Sequence, residues 1–251
     1  TRSNPALRWV AASLLPTAGI EGENDLPVFF VRSSMTESDF TASAQDRSRF
    51  FWWLAEWFLS PPTQEQLAGL PAADTAAPVD QMDAAWQALA AAAPEADAAT
   101  REQLGVEFTR LFSGMQEGMG PPPPFESVWR EDRLIGESTV AVIEAYAQAG
   151  FADIDPAAGP QDHVSVELKF IALLALREAE AWQADDKAGA HRRLAQQRDF
   201  LSQHLAAWAP RWADAIVEQA RAPLFAALAG LLKAGIEQAA LELTDLTRQS
   251  A

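Results

Sequence analysis

The sequence contains no cysteine, one tyrosine and three histidines among its 251 residues. The lack of cysteine excludes disulfides, thiolate metal sites and cysteine nucleophiles. Basic side chains are also scarce, since 19 Lys and Arg stand against 35 Asp and Glu, for a formal net charge of −16. Nucleic acids and anionic membranes are both bound through clustered basic side chains, so this charge argues against either partner. A basic peptide, in contrast, would be attracted to the chain electrostatically.

Long apolar runs and a secretory signal are missing as well. The most apolar run, Phe170–Leu176, ends at Arg177, well short of the ~20 residues that span a bilayer. Near the start, the apolar stretch 8–15 is short and is followed by Pro16 and an acidic patch, unlike a signal peptide. We therefore expect a cytoplasmic protein without membrane insertion.

Sequence motifs of common enzyme sites are absent too. The sequence has no Gly-x-x-x-x-Gly-Lys-Ser/Thr or Gly-x-Gly-x-x-Gly phosphate loop, no Gly-x-Ser-x-Gly elbow and no His-Glu-x-x-His metal motif. His191 and His204 are thirteen residues apart, which at ~100° per residue places them on different sides of one helix. We predict no catalytic residue, no metal site and no bound prosthetic group.

Hydrophobic periodicity predicts an all-α fold, a single helical bundle of about eight or nine helices. For example, Leu104, Phe108, Leu111 and Phe112 recur at the i, i+4, i+7 and i+8 positions of one helix face. Helices are predicted at Gln45–Leu59, Val79–Ala92, Ala98–Ser113, Ser127–Ala149, His163–Gln183, Lys187–Trp208, Pro210–Arg221 and Pro223–Thr247.

The first residues of the chain differ from the rest. Residues 1–34 are rich in Pro and Gly and show no sustained periodicity, while Met35 is followed by a typical helix start. We interpret 1–34 as an N-terminal extension or a remnant of cloning, and 35–251 as one all-helical domain.

The segment Gly114–Phe125 is the strongest interruption of the helical pattern. Its four consecutive prolines, Pro121–Pro124, exclude a helix and favour an extended polyproline II conformation. Such a rigid segment can form the wall of a groove, or it can be an ordinary loop anchored by Phe125 and Trp129. The nine tryptophans of the chain fit core packing first, and an exposed apolar groove for a partner second.

Carboxylates stand at two further places of interest. Asp162 precedes the predicted helix His163–Gln183, His163 lies in its first turn, and Glu167 lies one turn later on the same face as His163. Asp162 is predicted to cap that helix, which alone would explain the pair as structural. Glu107 lies at the edge of the Leu104–Phe112 stripe.

Together these segments resemble the TorD/DmsD family of cytoplasmic chaperones for molybdoenzymes. The similarity rests on four segments in order: Glu107–Phe112; Gly120-Pro121 with Pro123–Trp129; Asp162-His163 with Glu167, Leu168 and Phe170; and Phe200-Leu201 with His204-Leu205, Trp208 and Pro210. The sequence departs from the family pattern at Gln161, where members usually have Pro, and at Trp129, where Tyr is common.

The resemblance implies a TorD-like all-α fold without catalysis. Members bind the twin-arginine leader, and often the body, of an apo-enzyme such as a dimethyl sulfoxide or trimethylamine N-oxide reductase. They hold it in the cytoplasm until its molybdopterin cofactor is inserted, which implies at most a transient contact with that cofactor. The family's leader-binding region would fall on Glu107, Leu111, Phe112, Pro124, Glu126, Ser127, Trp129, Asp162 and His163.

Glu167 joins these residues for a chemical reason. A twin-arginine leader carries two guanidinium groups followed by an apolar stretch, so its binder should offer carboxylates beside an apolar groove.

Two alternative functions are considered. One is an assembly chaperone of the nitrate-reductase type for a subunit that is not exported, and the other, less favoured, is a helical nucleotide-hydrolysing enzyme. The Pro-rich hinge leaves open a monomer or a helix-exchanged dimer.

Overall fold

The computed structural model describes residues 37–72, 77–113, 120–151 and 160–249; the expected extension 1–34 lies outside them. The prediction of an all-α fold is confirmed, since the described residues form helices and one isolated β-bridge, between Phe125 and His163. A π-helical segment, Leu201–Leu205, joins the α-helices Lys187–Phe200 and Ala206–Gln219. The α-helices are α1 (Glu37–Leu59), α2 (Gln64–Ala68), α3 (Gln81–Ala91), α4 (Ala98–Phe112), α5 (Glu126–Glu131), α6 (Glu137–Gln148), α7 (Val164–Gln183), α8 (Lys187–Phe200), α9 (Ala206–Gln219) and α10 (Pro223–Gln249).

Helix α7 lies at the centre of the bundle. All residues from 164 to 175 are buried, as expected for a helix that is apolar on every side. It packs against α1 on one flank and α8 on another, while α10 packs against α9 and α3. Trp57, Trp208 and Trp212 are fully buried in this core, so core packing accounts for these three tryptophans.

The region predicted as one helix, Ser127–Ala149, is two helices, so that prediction was wrong. Between α5 and α6, Asp132 and Ile135 adopt left-handed backbone conformations with φ of 54° and 61°. The Glu131 carboxylate accepts hydrogen bonds from the N–H groups of Glu137 and Ser138, at 2.9 and 2.7 Å. It thereby satisfies the free donors of a new helix start, which breaks the helix.

Pro210 does not open a helix, contrary to the prediction. It lies inside α9, and the chain continues from α8 through the π-helical segment Leu201–Leu205 into α9. A π-helical segment shifts the hydrogen-bond register of a helix. The predicted helix boundary at Pro210 was therefore wrong, because the change of hydrogen-bond register lies before the proline.

The long helix α10 is largely apolar, although Lys233 and Glu237 interrupt its apolar sequence. By length and composition alone, Pro223–Arg248 is long and apolar enough to cross a bilayer. This is weak support for a membrane span, because a core helix meets the same criteria. Leu228, Leu231 and Leu232 of α10 are fully buried within the bundle.

Candidate functional site

The Pro-rich segment and the start of α7 meet through the backbone. The Glu126 N–H donates to the Asp162 carbonyl at 2.8 Å, and the Val164 N–H donates to the Pro124 carbonyl at 2.9 Å. The Phe125 and His163 rings are 5.0 Å apart in an edge-to-face arrangement. Two segments more than thirty residues apart in the sequence therefore lie side by side.

Asp162 caps α5 rather than the helix that follows it. Its side chain is fully buried, and its Oδ2 accepts a hydrogen bond from the Ser127 N–H at 2.8 Å. The prediction that Asp162 caps α7 was therefore wrong. The N-cap residue of α5, Phe125, offers no side-chain acceptor, so the free N–H groups of that helix are available to the neighbouring carboxylate.

His163 is the N-cap residue of α7 instead. Its Nδ1 accepts a hydrogen bond from the Ser165 N–H at 3.2 Å, which places the ring proton on Nε2. Burial lowers the pKa of His163 to about 4. The imidazole is therefore neutral near pH 7, because a charged ring would lose the Nδ1 acceptor and its hydration together.

Three carboxyl groups gather behind this junction, and we call Glu126, Asp162 and Glu167 the buried acid cluster. All three are fully buried. Burial raises the pKa of Glu167 well above its ordinary value, and the Glu126 and Asp162 carboxylates raise it further. The protonated form of Glu167 is thus favoured, because like charges in a buried site cannot all ionise cheaply.

Side chains from three other helices surround the buried acid cluster. The His204 Nδ1 lies 3.0 Å from a Glu126 carboxylate oxygen, and the Trp208 Nε1–H donates to Glu167 at 3.1 Å. On α6, the Tyr146 hydroxyl donates to the Gln161 carbonyl at 3.1 Å. Burial, together with these carboxylates, raises the pKa of Tyr146, so the phenol stays a donor.

One guanidinium reaches the buried acid cluster from the solvent side. The Arg130 side chain is 40% exposed and forms an ion pair with the fully buried Glu126. The same Arg130 nitrogen donates to the Gln203 carbonyl at 3.1 Å, in the π-helical segment. Arg130 therefore connects the buried Glu126 carboxylate to the protein surface.

Trp129 precedes Arg130 on α5. It is half-buried, and its Nε1–H donates to the Pro123 carbonyl at 3.1 Å. Pro124, one residue further, is buried under the junction. The Pro-rich segment thus orients the Trp129 ring through this hydrogen bond.

The structure places Glu107 in a different network. Its carboxylate accepts hydrogen bonds from Arg110 at 2.6 Å and from the Arg221 N–H at 2.7 Å, between α9 and α10. Burial alone would raise the pKa of Glu107, but these hydrogen bonds outweigh it and lower that pKa. Glu107 therefore ties α4 to the α9–α10 connection.

Leu111 and Phe112 pack the core and do not line an open groove. Leu111 is fully buried and Phe112 nearly so. The Phe112 ring lies 5.8 Å from Phe58 and 5.5 Å from Phe225, both edge-to-face. The expected acidic groove with these side chains as its apolar wall is thus divided into a buried acid cluster and a separate aromatic core.

Sequence reasoning missed four residues around the buried acid cluster: Tyr146, Arg130, His204 and Trp208. Arg130 lies four residues after Glu126, a spacing that brings both side chains to one helix face. His204 and Trp208 have the same spacing, and both belong to the segments that carry the family resemblance. Tyr146 gave no local signal beyond being the single tyrosine.

The part of the chain that the structure describes contains no candidate metal site. No group of three or more His, Asp and Glu side chains there could hold a metal ion.

Comparison with known proteins identifies the family. The sequence pattern of the nitrate reductase delta subunit family matches residues 76–214, more than half of the chain. The Tat proofreading chaperone DmsD of Salmonella typhi is 29% identical over 210 residues, 81% of this chain and 90% of that protein. The chaperone protein TorD of Vibrio cholerae is 26% identical over 216 residues, 82% of this chain and 96% of that protein.

The chain belongs to the nitrate reductase delta subunit family and, within it, to the TorD/DmsD chaperones. The resemblance stated from the sequence is confirmed, and so is the prediction of a redox-enzyme maturation chaperone rather than an enzyme. Among solved structures, a candidate redox enzyme maturation protein from Archaeoglobus fulgidus aligns with a TM-score of 0.45 and 18% identity, over 84% of this chain and 98% of that one.

Proposed function

We propose that the protein works in the cytoplasm, where it binds the twin-arginine leader and the apo-form of a molybdoenzyme catalytic subunit. The client would be of the dimethyl sulfoxide or trimethylamine N-oxide reductase type, held until its molybdenum cofactor is inserted and before export. The names of the relatives support this role, since the chain aligns with 90% of a Tat proofreading chaperone and 96% of a TorD chaperone. Contact with the cofactor of the client would be transient.

The ion pair between Arg130 and Glu126 carries this proposal. A partly exposed guanidinium already reaches a fully buried carboxylate, with the Gln203 carbonyl as a second acceptor. An arginine of the leader would compete with Arg130 for the same two acceptors. Charge-assisted hydrogen bonds to a carboxylate are strong and directional for a guanidinium, and the net charge of −16 speeds the approach of a cationic peptide.

The other candidate residues would then have different tasks. Trp129, which precedes Arg130 on α5, can stack on a guanidinium plane. Asp162 and His163 position α5 and the start of α7 through their caps, while Glu167 adds a carboxyl group behind Glu126. Glu107, with Leu111 and Phe112, would support the bundle and not touch the peptide.

Calorimetric titration with a leader-like peptide tests the proposal. A peptide with adjacent arginines is expected to bind at least about tenfold more tightly than the same peptide with lysines, a difference of about 1.4 kcal/mol. Lysine places one point charge where arginine offers a planar pair of donors. Equal affinity for the two peptides would contradict recognition through Glu126.

A matched pair of variants locates the site. Arg130→Gln removes the internal competitor for Glu126, so the arginine peptide is expected to bind several-fold more tightly. Arg133→Gln removes the same charge three residues away, from an exposed ion pair with Glu131. If both variants changed the affinity equally, the effect would be one of net charge alone and the site would lie elsewhere.

A further inference from the structure

Exposed apolar side chains are concentrated at the start of α6. Among the described residues, eight large hydrophobic side chains are exposed, and four of them lie between 134 and 143. These four are Leu134, Ile135, Val140 and Ile143, with exposed fractions of 52, 64, 55 and 39%. We call them the α6 apolar face.

The geometry of α6 places these side chains on one surface. The helix begins after its N-cap residue Gly136, so Ile135 and Val140 occupy the two positions that pair across a helix start as a hydrophobic staple. Ile143 follows Val140 by three residues, on the same face. The opposite face of α6 carries Val142 and Tyr146, which are buried. The helix thus has apolar side chains on both sides, and among the described residues only one of these sides is covered by the bundle.

The turn before α6 presents Ile135 at an energetic cost. Its φ of 61° is in the left-handed region, which a β-branched residue adopts unfavourably. Packing does not require an isoleucine here, since the side chain is 64% exposed. The Glu131 carboxylate fixes the turn by accepting from the Glu137 and Ser138 N–H groups, so Ile135 is held outward.

Charges around the α6 apolar face select among possible occupants. Glu137 and Glu144 are exposed and lie three residues before and four residues after Val140, on its side of the helix. Arg133 is already paired with Glu131. A second copy of a chain with net charge −16 would bring like charges together, and an anionic membrane would be repelled in the same way.

We propose that the α6 apolar face is a docking surface for a basic amphipathic helix of a partner protein. Apolar side chains of that helix would cover Ile135, Val140 and Ile143, while its Lys or Arg side chains would pair with Glu137 and Glu144. Helices that lie in apolar grooves are bound in this manner, with spaced apolar anchors and a charged rim. The proposal rests on the exposed side chains of the α6 apolar face and not on the ion pair of Arg130 with Glu126, so it does not depend on leader binding.

Fluorescence anisotropy with a labelled amphipathic peptide of Leu and Lys tests the surface in the full chain. The variant Val140→Ser/Ile143→Ser keeps every charge, and it is expected to bind the peptide about tenfold or more weakly than the wild type. Val217→Ser/Leu241→Ser is the matched control, since these exposed side chains lie on α9 and α10. The control is expected to bind like the wild type, and helical content should be unchanged in both variants.

Two results would overturn the proposal. Equal affinity of both double variants for the peptide would mean that the attraction is electrostatic alone. Concentration-dependent dimerisation of the wild type, lost in Val140→Ser/Ile143→Ser during sedimentation, would make the α6 apolar face an interface between two copies. The arginine leader peptide should bind Val140→Ser/Ile143→Ser normally, which separates this test from the test of the proposed function.

A substitution at Ile135 gives an independent readout. Asn adopts the left-handed region more easily than a β-branched residue, so Ile135→Asn is expected to raise the urea midpoint of unfolding while it weakens peptide binding. A variant that bound the peptide as tightly as the wild type would contradict the assignment of Ile135 to the surface.

Discussion

Glu167 is a carboxylic acid in a place where its ionisation is costly. Burial and the carboxylates of Glu126 and Asp162 raise its pKa well above 4.5. The folded chain therefore keeps a proton that the unfolded chain loses, and this contribution to stability declines as the pH rises above 4.5. His163 acts in the opposite direction, because its pKa is lowered from 6.5 to about 4 and stability rises with pH between those values.

The variant Glu167→Gln isolates the first effect. Glutamine retains an acceptor for the Trp208 N–H but cannot ionise, so the variant should gain stability relative to the wild type as the pH rises from about 5 to about 8. The His163 contribution is common to both proteins and cancels. Urea unfolding at several pH values measures this difference, and Glu180→Gln, an exposed carboxylate of the same helix, is the control. A stability difference that does not change with pH would contradict the raised pKa.

His163 and Glu126 were assigned to one site through the family resemblance, and the structure joins their segments through the hydrogen bond from the Glu126 N–H to the Asp162 carbonyl. Their role in peptide binding stays a prediction. Asp162 was assigned to the wrong helix because an Asp before a helix usually caps that helix, whereas its acceptor serves Ser127, 35 residues earlier. A hydrogen bond between distant segments depends on the packing of the whole bundle, which local rules do not contain.

Two glycines of α10 differ in what surrounds them. A Cβ atom added at Gly235 would lie 2.3 Å from the buried Phe50 ring of α1, whereas one at Gly230 would meet nothing within 4 Å. Gly235→Ala is therefore expected to destabilise the fold by about 1–3 kcal/mol, as overpacking of a core does. Gly230→Ala should stabilise it by about 0.5–1 kcal/mol through helix propensity.

Chemical denaturation of these two variants measures how closely α10 approaches α1. Both variants replace Gly by Ala in the same helix, so the change in helix propensity is the same. The difference between their free energies of unfolding therefore reports the contact of position 235 with Phe50. Changes of the same sign and size in both variants would mean that the two helices are not in close contact.

The bounds of three helices were predicted closely from hydrophobic periodicity and flanking residues. The bounds of α3, α4 and α7 differ from the predicted ones by two residues or fewer at each end. The break between α5 and α6 was missed because it depends on the Glu131 side chain and two left-handed residues, which leave the hydrophobic period intact. At Pro210 the prediction placed a helix boundary where the structure has none. The π-helical segment Leu201–Leu205 accommodates the change of hydrogen-bond register before the proline.

At the scale of the whole molecule, a buried ion network fastens the outer helices to the centre. Arg47 of α1 is fully buried and pairs with Glu178 of α7 and Glu242 of α10. Its Nε–H also donates to Gln197 of α8 at 3.3 Å. Helices α1 and α10 lie outside the residues matched by the family pattern, so one side chain joins both of them to helices within it.

Removing the cation should therefore weaken the entire bundle. Arg47→Met leaves two carboxylates buried without their partner, which is expected to cost about 3–5 kcal/mol of stability. The triple variant Arg47→Met/Glu178→Gln/Glu242→Gln removes the charges together and should recover most of that loss, because neutral amides tolerate burial far better than unpaired carboxylates. Arg49→Met, two residues away in an exposed ion pair with Asp46, should change stability by less than about 1 kcal/mol. Equilibrium urea unfolding compares all three; a triple variant as unstable as Arg47→Met would show that Arg47 acts through its packing volume and not through its charge.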